Sequence, residues 1–355
     1  MSDIQSLFFY VSCFMLASLM VYVGEKRKFK LLTILGLMIP IFIAGLRYNV
    51  GTDYTTYINN ISLLKDASIQ SYISDFSSYT EPTFYIFTKI SYLFNFPQLV
   101  FLIYSTISVT FLYKAIKTSG IEHRSLAFFL ILMMFPMSFN LMRQFAAISM
   151  AMYATTLLFK KHEKKYYLFT ILAPLLHVSA LINIVALIVY KRINDKNKHS
   201  ISAYKFIFSI IMTSIVAVLS WYGLQKYGYL FDIKVVTANL NIIPRLLMLL
   251  VILTLWYSCR STYRKYKLFI KLGILCILLG TVGFFIPYGD RIALYFLPFI
   301  MILFPTSIYS LMPGSKKYLT ILAVVFVGLL YFTASYYIMG SHAIMPYRTI
   351  LEIST

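Results

Sequence analysis

The chain has 355 residues, of which 60% are hydrophobic and 12% charged, and it carries a net charge of +20. With a mean hydropathy of +0.77 it lies far outside the composition of soluble globular domains, which excludes a water-soluble enzyme or binding module. Its Lys and Arg are spread over short loops between apolar runs, which argues against nucleic acid as a partner and for membrane lipids around cytoplasmic positive loops.

The first apolar run, Leu7 to Gly24, follows MSDIQS. That lead has no basic stretch and no small-residue cleavage site, so a retained transmembrane helix is predicted. Later apolar runs have roughly the ~20 residues that a helix needs to cross a bilayer, and alternating barrel strands are absent. The predicted fold is therefore an all-α integral membrane protein, a polytopic helical bundle forming one transmembrane domain over residues 1–355. Cys13, Cys259 and Cys276 lie in or beside apolar runs without metal-ligand spacing, so neither a disulfide framework nor a metal site is expected.

Six basic loops (25–30, 114–124, 160–165, 191–205, 259–271 and 314–317) hold 23 of the 32 basic residues. If all of them face the cytoplasm, the chain crosses an even number of times between neighbours. Runs 31–46 and 98–116, 125–142 and 144–159, 206–224 and 244–258, and 268–286 and 291–311 form such pairs, and 318–339 leads outward. Two segments are left over. Pro82 to Phe96 is too short to cross, and Tyr166 to Tyr190 is interrupted by Pro174 and His177; both are expected as re-entrant or interfacial hairpins. The second has an alternative form, two short crossings with His177 at the turn. The expectation is about 10–12 transmembrane helices plus re-entrant segments, both termini outside, and extracytoplasmic loops at about 47–81 and 225–243.

Nine basic residues fall outside the six loops, and five are arginine, against five of 23 inside. Arg47, Arg143, Arg245 and Arg291 stand at the predicted outer ends of helices. The topological rule has no preference for Arg over Lys, whereas bidentate phosphate recognition does. Each of the four is a candidate phosphate or pyrophosphate ligand, with a snorkelling or carboxylate-paired arginine as the plainer alternative. Tyr48 and Gln144 neighbour two of them and join the candidate binding set. Among outer carboxylates, Asp53, Glu81 and Asp290 are candidate general bases or salt-bridge partners. His177 is the one histidine inside an apolar run, and it is either a packing residue or a catalytic one. No DxD-type pair is present, so metal-bound nucleotide-sugar chemistry has no support; no cofactor is expected.

RYNVGTDYTTY (47–57), EPTFYIFTKI (81–90), LMRQFAAISMAMY (141–153), HVSALI (177–182) and DRIALYF (290–296) occur in an order that resembles the EpsG-like family of bacterial polysaccharide polymerases, grouped with the Wzy O-antigen polymerases. The resemblance implies a GT-C-like glycosyltransferase of the bacterial cytoplasmic (inner) membrane with its site facing outward. It implies transfer of a growing glycan from undecaprenyl pyrophosphate to another lipid-linked oligosaccharide repeat unit, with a chain-length regulator as a further partner. The arginines would hold the pyrophosphate, and one of His177, Asp53, Asp290 or Glu81 would accept the proton. A lateral opening for the lipid tail is expected between 82–96 and 166–190. Two other classes compete: a flippase or transporter of lipid-linked oligosaccharide, and a membrane O-acyltransferase. The first should carry charge on the inner halves of its helices, and the second a histidine near the first helices; both are lacking.

Overall fold

The computed structural model describes residues 1–77, 80–194, 260–282, 289–311 and 317–352. The expected crossings at 206–224 and 244–258, the loop at 225–243 and Arg245 lie outside the described residues. Among the described residues the regular structure is all helical, and the one β-type pairing is an isolated bridge between Arg47 and Thr349.

Helix α1 (Asp3–Lys26) starts on a capping box in which Ser2 and Gln5 each bond the other's backbone amide, filling two donors that a helix start leaves open. Only one stripe is buried, through Tyr10, Phe14, Ala17, Val21 and Gly24. Phe8, Leu16 and Leu19 stay exposed. An apolar exposed face of this kind suits lipid, where helices associate through close packing rather than through escape from water. Helix α2 (Lys30–Gly45) returns against it. Gly36 permits the approach, since a Cβ there would stand 2.8 Å from the Ala17 carbonyl oxygen.

The centre is made by α6 (Leu99–Ser119), α7 (Arg124–Met134) with its 3-10 extension Phe135–Phe139, and α8 (Met142–Phe159). Every residue from Ala127 to Asn140 is buried, and α8 is buried on nearly all sides. Helices apolar all round belong in the interior of a bundle, and α8 accordingly packs between α6 and α9 (Glu163–Leu176).

Between α2 and α6 the expected loop 47–81 is largely helical. It contains α3 (Tyr54–Leu64), then α4 (Ile69–Ser71), which runs into a π turn at Tyr72–Phe76. Its Thr, Asn and Ser content masks a buried stripe, Tyr54, Tyr57, Ile61 and Leu64, at helical spacing. Then comes α5 (Pro82–Leu93), with proline in the first turn where no amide is needed. Its 12 residues reach only about 18 Å, so it is a partial segment, as expected for Pro82 to Phe96.

Helix α9 ends at His177, a 3-10 turn (Val178–Asn183) follows, and α10 (Ile184–Asn194) leads back. Asn183 ties the arms together: its carbonyl accepts from the Tyr166 hydroxyl at 2.9 Å, its Nδ2 donates to Thr170 Oγ1 at 3.1 Å, and its Oδ1 accepts from Thr155 of α8 at 2.9 Å. This is a helical hairpin with His177 at the tip. Its tip meets α5 where the Thr83 hydroxyl donates to the Leu175 carbonyl at 2.6 Å. The two partial segments therefore touch at the hairpin tip.

The remaining helices are α11 (Arg260–Val282), α12 (Gly289–Ala293), α13 (Leu297–Leu311) and α14 (Lys317–Phe332), the last continuing as a π turn to Ile338. Among the described residues three helices are long and apolar enough to cross a membrane, Asp3–Lys26, Leu99–Ser119 and Tyr318–Ile338; Lys30–Gly45, Arg124–Phe139 and Leu297–Ser310 are shorter apolar ones. After Gly340 the chain folds back as a strap. Tyr10 donates to the Ile344 carbonyl at 3.0 Å, the Tyr347 amide donates to Ser6 at 2.8 Å, and the Tyr347 hydroxyl donates to the Ile43 carbonyl at 3.1 Å. The start of α1, the end of α2 and the strap thus share one end of the bundle, here termed the upper end. The basic stretches at Lys26–Lys30 and Lys160–Lys165 lie at the opposite end.

Candidate active site

At the upper end three remote segments bring charged groups together. Glu81 is the residue just ahead of α5, Arg143 sits in the first turn of α8, and His177 is the tip of the α9–α10 hairpin. Arg143 Nη1 donates to Glu81 Oε2 at 2.5 Å, and its guanidinium lies 5.3 Å from the Phe84 ring centre. His177 Nε2 stands 3.8 Å from the other oxygen, Oε1. These side chains retain only 13–25% of their exposure, so the cluster is sheltered but reachable.

His177 is held from behind as well. Its Nδ1 accepts from the backbone N–H of Ser179 at 3.3 Å and lies 2.7 Å from Ser179 Oγ, which in turn lies 2.9 Å from the Tyr295 hydroxyl. Burial lowers the imidazole pKa from its ordinary value; Glu81 opposes this, and Arg143 and Arg291 add to it. Arg291, on α12, is exposed. Its backbone carbonyl accepts from Gln144 Nε2 at 2.9 Å, which docks α12 on the start of α8.

The start of α8 favours anions. Leu141 precedes it without a side-chain cap, and no acidic residue occupies its first turn. The helix dipole gives a positive potential there, and Arg143 and Arg291 add to it. Gln144 is 3% exposed, and its buried Oε1 has no hydrogen-bond partner among the described residues.

Arg47, expected among the phosphate ligands, is packed at the junction of α2 and α3 rather than against Glu81 and His177. It is 1% exposed. Its Nε donates to the Val50 carbonyl at 3.2 Å, Nη2 to the Phe139 carbonyl at 2.9 Å, and Nη1 to the Ala44 carbonyl. The guanidinium is sandwiched between the rings of Phe101 and Phe139, 4.6 and 4.7 Å from their centres. Burial pulls its pKa down to about 10 against the pull of nearby tyrosines, which leaves it charged at neutral pH. Each nitrogen already serves a carbonyl, so this arginine ties the end of α2 to the end of α7.

Tyr48 is 40% exposed and stands edge-on to Tyr54, with centroids 5.9 Å apart; its amide donates to the Arg348 carbonyl. Asp53 is half-buried just ahead of α3 and accepts from its neighbour Thr52 at 3.1 Å. Asp290 falls within α12, but its side chain lies outside what the structure describes. Of the candidates, Glu81, Arg143, His177, Gln144 and Arg291 come together, whereas Arg47, Tyr48 and Asp53 belong to the α2–α3 junction. Ser179 and Tyr295 were not foreseen, although both stand inside the quoted stretches HVSALI and DRIALYF. Among the described residues no group of three or more His, Cys, Asp or Glu is placed to share a metal ion.

A comparison with known families matches residues 29–349, almost the whole chain, to the EpsG family. No curated protein and no solved structure matches it.

Proposed function

The chain belongs to the EpsG family of EpsG-like polysaccharide polymerases, and from that premise we propose that it joins lipid-linked oligosaccharide repeat units at the Glu81–Arg143–His177 cluster. The reading places the cluster on the outer side of a bacterial cytoplasmic membrane, with undecaprenyl pyrophosphate as the lipid carrier. The observation that carries it is the meeting of Glu81, Arg143 and His177 at the uncapped start of α8.

Arg143 and Arg291, aided by the α8 dipole, would hold the donor's pyrophosphate; Arg245 keeps its expected part on its sequence position alone. Glu81 and the pyrophosphate compete for Arg143. When the donor binds, the fork passes from carboxylate to phosphate. Glu81 then loses its counter-ion and gains a negative neighbour, and both changes raise its basicity. The acceptor sugar's hydroxyl oxygen bonds to the donor's anomeric carbon as the bond from that carbon to the pyrophosphate oxygen breaks. The electron pair leaves with the lipid pyrophosphate, the arginines stabilise the charge it develops, and the hydroxyl proton passes to Glu81. In this reading Glu81 takes the role that the sequence left open among four residues, and Arg47 and Tyr48 belong to the scaffold.

The test is purified protein in lipid nanodiscs with undecaprenyl pyrophosphate-linked repeat units prepared from the source strain, without nucleotide sugar, metal or acyl donor. A ladder of glycan lengths on the lipid is expected, and no product with the authentic substrate would sink the reading.

A further inference from the structure

A backbone amide can only donate. Because the Ser179 N–H points at His177 Nδ1 at 3.3 Å, that nitrogen must hold a lone pair. A neutral ring then carries its proton on Nε2, the nitrogen that faces Glu81 Oε1 at 3.8 Å. A doubly protonated ring would set Nδ1–H against the amide and break the bond that starts the Val178–Asn183 turn. The Ser179 hydroxyl, 2.7 Å from Nδ1, completes the same arrangement by donating to it, while the Tyr295 hydroxyl donates to Ser179 Oγ at 2.9 Å. Tyr295 is 2% exposed and fixed between α12 and α13, so this chain of bonds links the segment bearing Arg291 to the hairpin tip.

We infer that Ser179 and Tyr295 are positioning residues that hold His177 as a neutral imidazole protonated on Nε2, aimed as a donor at the Glu81 carboxylate. The inference rests on the polymerase reading for its catalytic consequence but not for its chemistry. With its one lone pair on Nδ1 turned toward Ser179, His177 orients the base and does not itself take the acceptor's proton. Among the described residues, the charged and titratable groups around the ring are Glu81 ahead of α5, Arg143 on α8, Arg291 on α12 and Tyr295.

The tautomer is measurable without any substrate. Nitrogen-15 NMR of histidine-labelled protein in lipid bilayers reports which ring nitrogen is protonated, and the His177 signal among five histidines is the one missing from His177→Gln. The expected spectrum shows Nε2–H throughout the range around pH 6.5 where a free imidazole titrates. Both variants keep the Ser179 amide and so the Nε2–H tautomer at pH 7, but without the chain of hydroxyls on Nδ1 Ser179→Ala and, to a smaller extent, Tyr295→Phe should show an imidazolium at mildly acidic pH. In turnover of the lipid-linked repeat units, Ser179→Ala should lower kcat about tenfold, within the range of general-base effects. KM should stay unchanged, the acidic limb of the pH profile should move to higher pH, and Ser179→Thr should restore most of the rate. An Nδ1–H or imidazolium signal from the intact protein at pH 7 overturns the inference, as do unchanged spectra in both variants. The expected tautomer in a protein that makes no glycan ladder supports the positioning inference and strikes the polymerase reading instead.

Discussion

Arg47 and Arg143 look alike in sequence, each at the mouth of an apolar run, yet their surroundings give them opposite work. Arg47 spends its nitrogens on three carbonyls and both faces on phenyl rings. A lysine there keeps the charge but reaches fewer carbonyls and stacks on neither ring. Arg47→Lys should therefore destabilise the fold by about 2–3 kcal/mol, the scale of losing buried hydrogen bonds. That appears as an earlier thermal transition in detergent, and activity per folded molecule should be largely kept. Arg143→Lys makes the contrast. Its described partners include the Glu81 carboxylate at a sheltered opening, so the protein should melt normally while losing about 100-fold or more in kcat, as when one charge-stabilising donor is removed. If Arg47→Lys melts normally and is inactive, the two roles have been exchanged. Sequence alone cannot separate them, because the carbonyl of Phe139 that anchors Arg47 comes from 92 positions away, and carbonyl partners leave no mark on residue type. Glu81, Arg143 and His177 were legible for the opposite reason, since each is a polar residue breaking or bordering an apolar run.

The same division holds for whole elements. Apolar runs announced α1, α2, α6, α8 and α14, and the proline and histidine in Tyr166 to Tyr190 announced a reversal. The helices α3 and α4 were hidden, because a half-buried helix rich in Thr, Asn and Ser reads as loop when its stripe is only four residues long. Hidden too was the strap after Gly340. Its bonds run to Ser6, Ile43, Leu46, Gly51 and Asn140, contacts across most of the chain that no local pattern encodes. Removing residues 341–355 should uncover the Arg47 junction and lower the thermal transition more than any single change in the strap. Tyr347→Phe, which deletes the hydroxyl's bond to the Ile43 carbonyl, should cost about 1 kcal/mol. Equal transitions for the full-length and shortened proteins would show that the strap stabilises nothing.

For the molecule as a whole the decisive quantity is orientation. Charge asymmetry predicts that the basic stretches at Lys26–Lys30 and Lys160–Lys165 face the cytoplasm, and the proposed reading then needs Glu81, Arg143 and His177 on the other side. That side is where a polymerase using an already activated lipid pyrophosphate needs no nucleotide from the cell. Thr52 near the site end and Lys161 at the opposite end are both exposed, so each reports on its face without disturbing the core. With Cys13, Cys259 and Cys276 replaced, Thr52→Cys should react with a membrane-impermeant maleimide on intact cells, and Lys161→Cys only after permeabilisation. The reverse pattern would put the cluster in the cytoplasm, and the outward-facing polymerase would fail with it. The same cells can separate topology from chemistry: Arg143→Lys should label at Thr52→Cys like the parent protein while its polymer disappears. Loss of both signals together would mean that Arg143 is needed for insertion rather than for catalysis.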